Sequence, residues 1–160
     1  MVELRPFGKE DVAAMCEIWN EVVAAGKAFP QTDLLDPEAA EDFFASQTKT
    51  VVAVDGSRVL GLYILHPNDV GRKAHVGNAS FAVSAEARGR GVGRMLVADA
   101  LESLSSCGFR AMQFNAVVAS NAAAIHLYES LGMRRVGTIP EGFRSVDGYE
   151  DMHIYYYMAR

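Results

Sequence analysis

Ser84-Ala85-Glu86-Ala87-Arg88-Gly89-Arg90-Gly91-Val92-Gly93-Arg94 is the stretch on which the reading of this chain turns. Three glycines and three arginines stand between an apolar run ending at Val83 and a helical pattern that begins at Gly91. The first N–H groups of a helix have no partner within it, and the helix dipole adds about +0.5 charge there. Such an end suits a phosphate. Glycine lets the backbone approach an anion where a Cβ would intrude. Arg88, Arg90 and Arg94 add positive charge to a chain whose formal net charge is −5. A P-loop would need Gly-Lys-Ser/Thr, and Arg94-Met95 stands there instead. A GxGxxG dinucleotide fingerprint starting at Gly89 would need a glycine where Arg94 is. On this stretch alone, a glycine-loosened turn with solvated arginines stays open as the plain alternative.

Working outward, residues 75–83 read as a strand, 91–107 as a helix closed by Gly108, and 110–117 as a strand. That unit has the length of a parallel crossover, which is expected to be right-handed. Upstream, residues 2–5 form an opening strand. Residues 9–25 carry Val12, Met15, Ile18, Trp19, Val22 and Val23 at helical spacing, and Gly26 stops them. Asp36-Pro37-Glu38 starts a helix to about residue 46. Strands 50–54 and 59–65 flank the turn Asp55-Gly56-Ser57-Arg58. Residues 27–35, with Phe29 and Pro30, form a loop between the first two helices. Downstream, residues 120–131 are helical, and strands 133–139 and 152–158 enclose a hairpin segment, 140–151. One α/β domain over residues 1–160 is expected. Its sheet is expected to be mixed and mostly antiparallel, with a central parallel pair and flanking helices.

Composition narrows the function. Half of the 160 residues are apolar and 22% are charged, a globular balance. The acidic surplus disfavours nucleic acid, whose phosphates demand basic partners. No apolar run nears the ~18 residues of a membrane span, and no signal peptide is visible. Cys16 and Cys107 stand far apart without CxxC or Cys/His clustering. No metal site or disulfide is expected, and a reducing cytoplasm is the expected compartment.

A second pattern lies downstream: Asn121-x-x-Ala124-x-x-x-Tyr128, then Leu131-Gly132-Met133. Together with Arg88-x-x-Gly91-x-Gly93 it resembles the Gcn5-related N-acetyltransferase (GNAT) family. Met133 replaces that family's usual Phe. Residues from about 81 to 133 carry the specific likeness, and the order of elements matches from end to end.

The resemblance implies acetyl-CoA as co-substrate and a small-molecule amine as acceptor. By it, the backbone of Phe81 and Val83 would pair with the pantetheine arm where the parallel strands splay. Amides of Arg88, Gly89, Arg90, Gly91, Val92, Gly93 and Arg94 would hold the pyrophosphate, and Asn121 would contact the pantetheine region. Tyr128 would direct its hydroxyl at the sulfur as general acid; the plain alternative is an aromatic in the stripe of Ile125 and Leu131. No general base stands out among His66, His75, His126, His153, Glu17, Glu21 and Asp33. A homodimer is common in the family. Alternatives within the resemblance are a peptide N-terminal acetyltransferase and a non-catalytic acetyl-CoA-binding module.

For the acceptor, Asn78 and Asn115 draw notice because asparagine is depleted in strands and a buried amide without partners costs roughly 1–3 kcal/mol. Amides bonded to neighbouring backbone would explain them equally. The stretches Gly77-Asn78-Ala79 and Gln113-Phe114-Asn115 resemble acetyltransferases of proline analogues, and the loop with Phe29 resembles the phosphinothricin class. Both point to a small amino-acid-like acceptor, with Arg144 as a carboxylate partner.

Overall fold

Turn and cap chemistry sets most of the element boundaries. Asp36 accepts the Glu38 N–H at 3.0 Å and Pro37 takes the first helical position, so α2 (Pro37–Ala45) begins there. Gly26 ends α1 (Val12–Ala25) in a left-handed conformation, φ 64°. The computed structural model describes residues 1–160. Its strands are β1 (Val2–Pro6), β2 (Lys49–Asp55), β3 (Arg58–Pro67), β4 (Val76–Val83), β5 (Ala111–Val118), β6 (Arg134–Ser145) and β7 (Gly148–Met158). Two further helices are α3 (Val92–Glu102) and α4 (Ala122–Ser130). None of the four is long and apolar enough to cross a membrane.

The seven strands form one sheet in the order β1-β2-β3-β4-β5-β7-β6. Every neighbouring pair is antiparallel except β4 and β5. That central parallel pair is short: Val76 faces Ala111, Gly77 faces Met112, and the ladder stops. β4 continues for six residues on the β3 side alone, up to Val83 opposite Gly61. The two strands therefore splay beyond Gly77, as expected from the sequence.

Each face of the sheet is covered. Met15, Trp19 and Phe44 from α1 and α2 bury against Val52, Leu62 and Ile64. Leu96 and Ala100 of α3 pack with Tyr63, Met112, Phe114 and Tyr155 on the other face. Both cysteines are free thiols.

Three boundaries differ from the sequence reading. Residues 9–11 form a single 3-10 turn before α1. α3 ends at Glu102 rather than 107, because Ser103 turns its hydroxyl back to Asp99 O at 2.7 Å and Ser106 does the same to Ser103 O. Such local bonds compete with the helix. The hairpin segment 140–151 is mostly strand: β6 runs to Ser145 and β7 starts at Gly148. Pro140 and Gly142 sit in a bulge between the pairs Ile139–Met152 and Phe143–Glu150. Glu141 holds φ 50° there, and Asp151 Oδ1 accepts its N–H at 3.0 Å.

Candidate active site

The splay has an open edge. Ser84 gives its N–H to Leu60 O at 2.8 Å, toward β3, and His75 O accepts from Arg110 N–H at 2.8 Å, toward β5. Alternate residues of a strand send their backbone groups to opposite edges. The odd-numbered residues of β4 thus face the gap. Ala79 N–H is taken by Asn78 Oδ1 at 2.8 Å. Phe81 and Val83 come next, their backbone groups directed at the space that β5 has left.

Beside that edge lies a loop of free amides. Met95 N–H reaches Gly91 O at 3.1 Å and Arg90 N–H reaches Ala87 O at 3.4 Å. The N–H groups of Gly89, Gly91, Val92, Gly93 and Arg94 donate to no protein acceptor, and no side chain caps α3. Gly89 and Gly91 hold φ 80° and 77°, and a Cβ on Gly91 would enter empty space. The left-handed backbone that turns these amides outward is one that glycine adopts without strain. The arginines are not equivalent. Arg88 is exposed and unpaired, Arg90 is bonded to Asp55, and Arg94 donates to Ser130 Oγ at 2.8 Å.

An aromatic row crosses the gap on the α3 face. Ring centroids run Tyr63 to Phe81 at 5.8 Å, Phe81 to Phe114 at 5.8 Å, Phe114 to Tyr128 at 4.8 Å and Tyr128 to Tyr155 at 6.2 Å. Tyr128 is thus packed as well as placed. Burial pushes its hydroxyl up to about 12, and the hydroxyl has no hydrogen-bond partner in the protein. Asn121 caps α4, its Oδ1 accepting Ala124 N–H at 3.3 Å, while its Nδ2 bonds nothing.

On the opposite face, Asn78 and Asn115 meet through a residue that the sequence did not single out. Asn68 Oδ1 accepts from Asn78 Nδ2 at 3.1 Å and from Asn115 Nδ2 at 2.6 Å. Gln113 Nε2 donates to Asn115 Oδ1 at 2.9 Å. A cavity of about 400 Å³ lies here, lined by Asn68, Gln113 and Asn115 together with Asp69, Lys73, His75 and Val76. Asn78 is half-buried and Asn115 exposed, so neither is the buried amide expected from the sequence. They are partnered chiefly by side-chain amides, with Ala79 N–H as the one backbone partner.

Of the other sequence candidates only His75 lines this cavity, and the rest fall elsewhere. Phe29 is buried with its ring 4.6 Å from Trp19, so it packs under α1. Arg144 is exposed, bonds nothing, and alternates with Phe143 and Ser145, whose side chains are buried. Among the possible bases, His153 is buried with both ring nitrogens engaged. Arg135 can only donate to Nε2 (3.2 Å), so Nδ1 carries the proton and donates to Thr138 Oγ1 at 2.8 Å. His66 bonds Pro67 O at 2.9 Å. His75, His126, Glu17, Glu21 and Asp33 are exposed. Glu150, which the sequence did not mark, lies near Ser120 and Ser145, whose hydroxyls hold its carboxyl below the usual range. No group of three or more His, Cys, Asp or Glu side chains is placed to hold a metal.

The outer end of this face is bridged. Val146 N–H, at the β6–β7 turn, donates to Gly26 O at 3.1 Å, and Asp147 pairs with Lys27 at 3.7 Å.

Comparison with known proteins shows the family and the fold. Residues 12–133 match the model of the acetyltransferase (GNAT) family. The chain is 31% identical over 157 residues to the N-acetyltransferase aca1 of Schizosaccharomyces pombe, spanning 86% of this chain and 75% of that protein. A solved GCN5-related N-acetyltransferase from Kribbella flavida is 39% identical with a TM-score of 0.90, covering 98% of this chain and 97% of that one. A phosphinothricin acetyltransferase from Sinorhizobium meliloti, solved in complex with acetyl-CoA, shares the fold. Its TM-score is 0.91 at 22% identity, covering 99% of this chain and 88% of that one.

Proposed function

This chain belongs to the acetyltransferase (GNAT) family, and on that premise we propose that it acetylates the amine of a small amino-acid or amino-acid-like acceptor. It is an N-acetyltransferase that works with acetyl-CoA. The observation that carries the reading is the meeting of an open β4 edge with a nest of free amides at the start of α3.

The pyrophosphate lies on the free amides of Gly89, Gly91, Val92, Gly93 and Arg94. The Arg88 and Arg90 N–H groups, expected there from the sequence, are bonded to Ala85 O and Ala87 O, and the Arg88 side chain is free to pair with the phosphates. The pantetheine arm takes the place β5 has vacated and bonds Phe81 and Val83 as an added strand would. A neutral amine then attacks the thioester carbonyl. Charge grows on the carbonyl oxygen, and a backbone N–H near Phe81 stabilises it. The thiolate leaves toward Tyr128. A thiol ordinarily titrates near about 8.5, and Tyr128 holds its proton to about 12. The phenol therefore serves the departing sulfur chiefly as a hydrogen-bond donor that keeps its proton. With no fixed base evident, the amine gives its proton to water.

Asn78 and Asn115 support a small polar acceptor, since they supply hydrogen bonds with no charge to desolvate. The bridge from Val146 to Gly26 supports it too, because it closes the outer end that a peptide would need open. Release of free thiol from acetyl-CoA is the test, with amino acids, imino acids, aminoglycosides, polyamines and peptides offered in turn. Amino or imino acids are expected to turn over. Asn115→Ala is expected to raise their KM at least about tenfold, leaving that of acetyl-CoA unchanged. Turnover with peptides or polyamines only would overturn the acceptor reading.

A further inference from the structure

We infer that Asn68 is the positioning residue of the acceptor site, setting the orientation of both Asn78 and Asn115. The inference rests on the small-acceptor reading above.

Asn68 sits one residue past β3, and its own backbone N–H donates to Val76 O at 2.8 Å, so its side chain starts from fixed backbone. The next residue is fixed as well, since Asp69 accepts the Val70 N–H at 2.7 Å and pairs with Lys73. From this base the Asn68 carboxamide bridges the two strands where the splay begins. The backbone ladder between β4 and β5 ends at Gly77 and Met112. Asn78 is the first residue of β4 beyond it, and Asn115 lies three beyond Met112 on β5. Both donate to the same oxygen, at 3.1 and 2.6 Å. A carbonyl oxygen has two lone pairs, and Asn68 Oδ1 uses both.

That double acceptance decides which way each amide faces. Asn78 Oδ1 is held by Ala79 N–H at 2.8 Å, and Asn115 Oδ1 by Gln113 Nε2 at 2.9 Å. With one lone pair of its oxygen and one N–H engaged, each carboxamide keeps one N–H and one lone pair, in fixed directions, for a ligand. The two donor nitrogens stay close together because both lie within bonding distance of one atom. Without Asn68, either amide is free to turn. The pair then loses its fixed donors, although the β4 edge and the α3 amides that hold acetyl-CoA are untouched. An acceptor that presents an oxygen to two N–H donors is the one this arrangement selects.

The test is steady-state kinetics on wild type, Asn68→Ala and Asn68→Asp. Asn68→Ala is expected to raise the acceptor KM about tenfold, with the KM of acetyl-CoA within about twofold. Asn68→Asp keeps an oxygen for both donors. It is expected to hold the wild-type melting temperature and, with an uncharged amino-acid amide as acceptor, to keep KM within about threefold of wild type. In ¹H–¹⁵N spectra the side-chain NH₂ signals of Asn78 and Asn115 are expected to move in Asn68→Ala, while the backbone amides of residues 89–94 stay. Unmoved side-chain signals, an unchanged acceptor KM, or an equal rise in the KM of acetyl-CoA would overturn the role of Asn68. If wild type turns over no amino acid, the small-acceptor reading fails instead, and the same comparison is made with the amine it does use.

Discussion

Arg90 donates from Nη2 to Asp55 Oδ2 at 2.9 Å, so the turn between β2 and β3 holds one of the three arginines of the anion loop. Asp55 also accepts from the chain's terminal amine at 3.1 Å, and Arg90 followed by that amine keeps its carboxyl below the ordinary range. Arg88 has no such tie. Charge-assisted bonds to phosphate exceed neutral ones, at about 1.5–3 kcal/mol. Arg88→Ala is therefore expected to raise the KM of acetyl-CoA about tenfold, and Arg90→Ala less than about threefold. Equal losses in the two variants would mean that Arg90 leaves Asp55 for the cofactor.

Gly91→Val places a branched side chain at φ 77°, where an L residue is strained by about 1–2 kcal/mol. Its Cβ enters the open space in front of the free amides. The variant is expected to fold with a lowered melting temperature and to gain nothing from acetyl-CoA. Wild type is expected to gain about 2.7 kcal/mol when the ligand stands at about 100 times its Kd. A thermal-shift titration checks both. Matching shifts would place the phosphates elsewhere.

Tyr128→Phe removes a hydroxyl that bonds nothing in the protein. Stability is expected to change by less than about 1 kcal/mol. The kcat is expected to fall about 10²-fold, with little change in the KM of acetyl-CoA. A kcat close to wild type would leave Tyr128 as one member of the aromatic row.

The tyrosines also set an alkaline limit. Burial pushes Tyr128 up to about 12, and burial followed by the bond to Glu129 does the same to Tyr155. An unfolded tyrosine titrates near about 10. Above that pH the unfolded chain releases protons the native one keeps, so stability present below about pH 10 falls as pH rises toward about 12. Each such group contributes a slope of up to about 1.4 kcal/mol per pH unit. Urea midpoints between about pH 8 and pH 11.5 test this, and the decline is expected to be shallower in Tyr128→Phe. A wild-type midpoint that stays flat above about pH 10 would contradict the shifted values.

What was legible before any coordinates was local. The capped start of α2, the stop at Gly26 and the glycines of the anion loop all act through the backbone of a few consecutive residues. How far the strands reach into the hairpin segment 140–151 was not legible, for the same reason. Pro140 and Gly142 are turn residues by type, but pairing with β7 across the sheet absorbs them in a bulge, which no local rule anticipates. Phe29 sits in a loop by its neighbours, yet Trp19 draws it into the core.

The sequence by itself determined the family, the order of elements, and the segments of 88–94 and 121–133 on which the proposed cofactor site rests. These are motifs in which the functional groups are backbone amides and residues one or two helical turns apart. Only the tertiary structure brought together the amides proposed to meet the acceptor. Asn68 and Asn115 are separated by 47 positions, and the Asn68–Asn115 bond exists because β3, β4 and β5 lie side by side with the ladder broken at Gly77. Nothing in the composition around Asn68 marks it. A side chain's role there follows from which strands the sheet brings together, and that is settled by burial on both faces rather than by any local preference.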